Sequence, residues 1–128
     1  MAVRIASMVL RGAFALAVVL GLFFWTGHEP GGLVPIHMLL GVILVLAVWY
    51  LGFAQATSPG GSVGLAAGAG LLGLLVLIVG LKQREWMLGS GHWLIQVLHL
   101  LLGIAAVGIG EANASRVQKS AGVAARRR

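Results

Sequence analysis

The segment LVPIHMLLGVILVLAVWYLGFA, Leu33 to Ala54, carries no charged residue and a single imidazole, His37. A bilayer core is crossed by about 20 apolar residues rising ~1.5 Å each, so this run reads as a transmembrane helix. Pro35 stands near its start, where a missing N–H costs nothing. Three more runs of the same kind surround it. One is Gly12 to Thr26, whose helix should begin slightly earlier and cover about 8–26. The others are Val63 to Leu81 and His92 to Gly110, the latter covering about 91–110. The intervening segments, GHEPGG, TSPGGS and KQREWMLGSG, hold the Gly, Pro and charged residues that end helices. The sequence thus predicts an all-α integral membrane protein, a four-helix transmembrane bundle over 1–115. A basic tail, 116–128, follows and reads as a disordered anchor.

Composition agrees. The chain has 128 residues, 59% hydrophobic and only 9% charged, where a soluble domain carries about 25% charge. Cysteine is absent, which excludes disulfides and thiolate chemistry. Glu29, Glu85 and Glu111 are the only acids, too few for paired-carboxylate catalysis or a hard-cation cage. The net charge of +6 does not point to nucleic acid, because the cations cluster at the chain ends. Arg4 and Arg11 precede the first helix, and Arg116, Lys119 and Arg126 to Arg128 follow the fourth. Cations favour the cytoplasmic side, so both termini are expected in the cytoplasm of a multi-pass bacterial inner-membrane protein. No small-x-small cleavage site follows the first apolar run, which reads as a retained helix. Trp25, Trp86 and Trp93 then mark the outer interface, and Trp49 and Tyr50 the inner one.

The second and fourth helices share a phrase. IHMLLGVILV, Ile36 to Val45, matches LHLLLGIAAV, Leu98 to Val107. The chain reads as a helical hairpin used twice, a parallel 2+2 repeat. Both helices run inward, so His37 and His99 fall in the outer half of the membrane, ~5 Å and ~12 Å below their helix starts. An imidazole in hydrocarbon is costly and suggests function: metal or haem ligation, proton relay, or an interhelical hydrogen bond. A repeated pair favours the first. His37 and His99 are the expected axial ligands of one haem b iron, with Gly41 and Gly103, one turn further in, making room on the same faces. Gln96 and His92 share the His99 face, and Gln96 is the side chain that could satisfy its second nitrogen; for His37 a backbone carbonyl is expected. Lys82, Arg84 and His92 are the outer groups available to haem propionates. Two imidazoles fill both axial positions, which favours electron transfer over oxygen binding.

Four short helices with H-x-x-x-G sites on two of them, His37 to Gly41 and His99 to Gly103, resemble the small membrane b-type cytochromes. These include the cytochrome b561-like group and the b-subunits of respiratory dehydrogenases and hydrogenases. The resemblance implies single-electron carriage, with a quinone or a redox partner protein as the exchange partner. Members of that group commonly hold two haems. This chain has no histidine in its inner half, so a homodimer or a larger complex is expected if charge must cross.

Competing readings are a small multidrug transporter, a metal-ion path through His28, His37, His92 and His99, and a structural subunit of a membrane complex. The first helix lacks the acid such a transporter uses, and Glu111 reads as an interface residue near Arg116. A divalent-ion path would want carboxylates beside the imidazoles, and Glu29 alone is near. Independent enzymatic turnover has no motif behind it: GSGH is no nucleophile elbow and GLAAGAGLLG no phosphate loop.

Overall fold

The computed structural model of the chain describes residues 1–27 and 31–126, the side chains of Ala124 and Arg126 excepted. His28 and Glu29 of the expected outer loop, and Arg127 and Arg128 of the tail, lie outside the described residues. Four α-helices follow in order: α1 (Ala2–Trp25), α2 (Leu33–Ala56), α3 (Val63–Lys82) and α4 (His92–Arg126). Each is long and apolar enough to cross a membrane. The α1–α2 and α3–α4 connections share one end of the bundle, here the hairpin end. The two termini and the α2–α3 loop share the other, the terminal end.

Local chemistry sets the boundaries. Pro35 sits in the first turn of α2. The Thr57 hydroxyl donates to the Phe53 carbonyl at 3.0 Å as α2 ends. Gly60, at φ 74°, then reverses the chain. Ser62 caps α3, its Oγ accepting from the Leu65 N–H at 3.4 Å. A single 3-10 turn, Gly89–Gly91, leads into α4.

Two boundaries differ from the sequence reading. Helix α1 begins at Ala2, so Arg4 and Arg11 are helical rather than preceding the helix. Arg11 is accommodated because its guanidinium pairs with Glu111: Nε donates to Oε1 at 3.1 Å and Nη2 to Oε2. The Ser7 hydroxyl donates to the same carboxylate at 2.7 Å. Glu111 therefore bonds across to α1 rather than standing beside Arg116. At the other end, α4 runs through Glu111 to Arg126. That segment is alanine-rich and lacks proline, so no stop signal follows the apolar run. The expected disordered tail is helical as far as Arg126. Ser120 reaches back to the α2–α3 loop, its Oγ donating to the Pro59 carbonyl at 3.4 Å.

In cross-section the bundle is a rhombus. Helices α2 and α4 pack on each other across the short diagonal, while α1 and α3 do not touch. The fully buried side chains lie mostly toward the terminal end: Leu10, Leu44, Val45, Val48, Leu51, Ala69, Ala106 and Ala114. Glycines let the helices close there. A Cβ on Gly110 would stand 2.6 Å from Leu10 Cδ2, and one on Gly52 would stand 2.9 Å from the Ala69 Cβ. The Trp49 indole lies over Gly73 and donates to the Gly70 carbonyl at 3.2 Å. In lipid there is no hydrophobic drive between helices, so such close packing supplies the attraction. Outward faces are apolar, with Leu16, Val19, Leu39, Phe53 and Leu101 all exposed. What distinguishes the interior is small side chains, not greater hydrophobicity.

Candidate functional site

Above the packed layer the two hairpins separate. Between them lies a cavity of ≈ 300 Å³, within the range of ligand pockets. His37 of α2 and His99 of α4 face each other across it, their ring centres 6.3 Å apart and their planes tilted by 58°. The sequence offset between them, four residues into α2 against seven into α4, is absorbed because α4 projects one turn further beyond the histidine level.

Each imidazole is backed by a glycine of its own hairpin. A Cβ on Gly21 of α1 would stand 3.5 Å from His37 Cε1, and one on Gly80 of α3 would stand 2.8 Å from His99 Cε1. The ring of Phe24 meets His37 edge-on, 5.6 Å between centres. The Ala17 carbonyl, one turn before Gly21, approaches the His37 ring, but Nδ1 does not reach hydrogen-bond geometry with it. Nδ1 of both histidines is buried without a partner. Gln96 lines the cavity and does not bond His99 Nδ1, contrary to the sequence expectation.

The lining repeats with the sequence. Gly21 and Gly80 are 59 positions apart, and the same step carries Ala17, Val18, Leu22 and Trp25 onto Val76, Leu77, Leu81 and Arg84. His37 and His99 are 62 apart, and that step carries Val34, Met38 and Gly41 onto Gln96, Leu100 and Gly103. Every one of these residues lines the cavity. The site is therefore a slot with pseudo-twofold symmetry, one wall from each hairpin, and all four helices contribute a glycine to it. Gly41 borders open space, and a Cβ on Gly103 would stand 3.6 Å from Phe14.

Helical spacing relates the lining to the seams between helices. On α1, Val18, Leu22 and Trp25 continue the stripe of Ser7 and Arg11 that meets α4. On α2, Met38 and Val42 continue the stripe of Val45, Trp49 and Gly52 that meets α3. Exposed Leu22, Trp25, Met38, Val42 and Leu81 are among the residues lining the cavity, so it reaches the bundle's apolar outer surface. At the hairpin end the rim holds Gln83, Arg84 and His92. Nδ1 of His92 lies 3.3 Å from the Trp86 carbonyl. Lys82 is engaged elsewhere, bonded to Glu85 at 2.9 Å.

The donor set can be tested against a metal. With metal–nitrogen bonds of ~2 Å and ~1.1 Å from nitrogen to ring centre, two imidazoles bound in trans have centres ~6.3 Å apart, whereas a tetrahedral ion draws them to ~5 Å. At 6.3 Å between centres the rings stand too far apart to share a tetrahedral ion. Among the described residues, no three His, Cys, Asp or Glu side chains converge as a metal site, so a bare ion would find two protein donors. A macrocyclic iron asks for two axial donors and a flat apolar slot, and these residues fit it.

Sequence reasoning did not single out Gly21 and Gly80 among the glycines of the first and third helices. The signal that singles them out is the first-helix half of the repeat, VVLGL at Val18 to Leu22 against LIVGL at Leu77 to Leu81. It also missed Asn113, fully buried on α4 toward the terminal end with both amide atoms unpartnered. In comparison with known proteins, the chain matches no family model, no curated protein and no solved structure.

Proposed function

We propose that the protein is a membrane b-type cytochrome that carries single electrons through one haem held between its two hairpins. It sits in the bacterial cytoplasmic membrane with its terminal end inside, where Arg4, Arg116 and Lys119 satisfy the positive-inside preference. The observation that carries the reading is the pair of imidazoles on opposite walls of a glycine-lined slot, their ring centres 6.3 Å apart. His37 and His99 would be the axial ligands. Gly21 and Gly80 let their rings lie back against the flanking helices, and Gly41 and Gly103 keep the slot wide. The packed layer of Leu44, Val48 and Ala106 closes the slot from the terminal side and excludes water. Haem bound there would supply a reversible one-electron couple. Because the exposed lining residues Leu22, Met38, Val42 and Leu81 are apolar, the exchange partner is a quinone or the membrane face of a partner protein. A slot near one face leaves most of a ~30 Å core uncrossed, so a dimer or larger assembly carries charge further.

The test is an absorbance spectrum of protein purified from haem-replete cells, oxidised and reduced. Sharp α and β bands on reduction are expected, and His37→Ala and His99→Ala should each abolish the six-coordinate form. A colourless preparation that also fails to take up added haem refutes the reading.

A further inference from the structure

The cations of the terminal end are not spread evenly around the bundle. Ser7 and Arg11 of α1 both bond Glu111 of α4, which fixes the depth of one helix against the other. Glu111 stands level with the midpoint of Ser7 and Arg11, and the two helices run in opposite directions. At ~1.5 Å per residue, Arg4 lies ~7.5 Å beyond that level toward the terminal end. Ser115 and Lys119 continue the i+4 row of Glu111 and lie ~6 Å and ~12 Å beyond it. Arg4 thus falls between Ser115 and Lys119 in depth, across the α1/α4 seam. Both cations are exposed, and among the described residues neither forms an ion pair. Glu111 does not neutralise them, because its carboxylate is taken by Arg11 and Ser7. Arg116 belongs to another face: it lies two turns beyond Ile109, whose side chain lies over Gly68 of α3.

Toward the hairpin end the outward surface beside these cations is apolar and shallow. Met8 and Ile104 are exposed, Ala112 is exposed, and Gly108 faces open space. We infer that Arg4 and Lys119 hold the headgroup phosphate of an anionic phospholipid in the inner leaflet, with an acyl chain lying along α4 at Ile104, Gly108 and Ala112. This site is independent of haem and rests only on the proposed placement of the terminal end at the inner membrane face. A phosphodiester accepts charge-assisted hydrogen bonds from a guanidinium and an ammonium, and basic pockets between transmembrane helices on the cytoplasmic side recognise anionic headgroups. A general preference for cations inside treats Arg4, Arg116 and Lys119 alike; the seam does not. A free phosphate would meet the same two cations but gain nothing from the apolar face, so the occupant is the lipid.

The experiment uses the full-length protein in a non-ionic detergent and measures binding of phosphatidylglycerol and of phosphatidylcholine by native mass spectrometry. Phosphatidylglycerol is expected to bind about tenfold or more tightly, the scale of two cations acting at a membrane surface. Arg4→Gln with Lys119→Gln should shrink that ratio to about threefold or less, whereas Arg116→Gln should leave it within about twofold of the parent. Inorganic phosphate in large molar excess should fail to displace the lipid. Equal binding of the two lipids by the unaltered protein, an undiminished ratio in the double variant, an equal loss in Arg116→Gln, or displacement by inorganic phosphate each overturns the site. None of these outcomes bears on the absorbance spectrum, which tests the haem reading separately.

Discussion

Gly80→Ala tests the site at its tightest point. The added Cβ would lie 2.8 Å from His99 Cε1, and carbon atoms rest ~3.5 Å or more apart, so the ring must move roughly 0.7 Å. The crowded edge carries both ring nitrogens, Nε2 and Nδ1 lying 3.5 and 3.6 Å from the same point, so the displacement moves the atoms that would ligate, while metal–ligand distances tolerate only ~0.2 Å. The fold itself should hardly notice, because the ring moves into empty space and alanine is about 1 kcal/mol better than glycine within a helix. Gly21→Ala is the matched control: its Cβ would meet His37 Cε1 at 3.5 Å, an ordinary contact. Haem titration of both variants should show affinity reduced about tenfold or more in Gly80→Ala, about 1.4 kcal/mol, and within about threefold of the parent in Gly21→Ala. Apo-protein melting should be unchanged to about 1 kcal/mol in both. Equal losses in the two variants, or none in Gly80→Ala, would refute the reasoning.

Other substitutions separate slot from scaffold. Gly103→Leu should lower haem occupancy by filling the slot, whereas Gly108→Leu, on an exposed face with open space around it, should not; pigment content per protein is the readout. Gly73→Leu would be a poor control, since the Trp49 indole already occupies that surface. Asn113→Leu removes a fully buried amide with no hydrogen-bond partner and should stabilise the bundle by about 1–2 kcal/mol in detergent unfolding; a loss instead would mean that an ordered water or another partner satisfies it. Arg11→Gln and Glu111→Gln should each lower the melting temperature, and the double variant should recover part of the loss, because either single change strands a charge on the α1/α4 seam. Additive losses would show the pair to be uncoupled.

The four spans were legible because each is a long apolar run bounded by glycine, proline or charge. The histidine pair was legible because the repeat wrote it twice. The α4 extension was harder to see, since hydropathy reports where lipid ends, not where a helix does, and Glu111 to Arg126 contains good helix formers. The Arg11–Glu111 bond spans 100 residues of sequence, and no local pattern announces a partner at that distance. The backing glycines did not stand out for a related reason. In a chain with 20 of them, each looks like ordinary helix packing until the partner across the gap is known. Gly52, Gly73 and Gly110 do pack helices, while Gly21 and Gly80 back imidazoles.

That division of labour explains how a cavity persists in so small a bundle. In water, apolar walls facing a void would be driven together by the hydrophobic effect. In lipid that drive is absent and helices hold together only where surfaces interlock. Here the interlocking surfaces, Gly110 against Leu10 and Gly52 against Ala69, lie toward the terminal end. They fix the α2–α4 diagonal there and leave the hairpin end to diverge. The connections within each hairpin keep α1 against α2 and α3 against α4. Divergence therefore opens between the hairpins, not within them. A duplicated hairpin that places one imidazole near the start of its second helix and one glycine near the end of its first must then set two backed imidazoles across that opening. The pairing of the histidines follows from where the bundle is allowed to be loose.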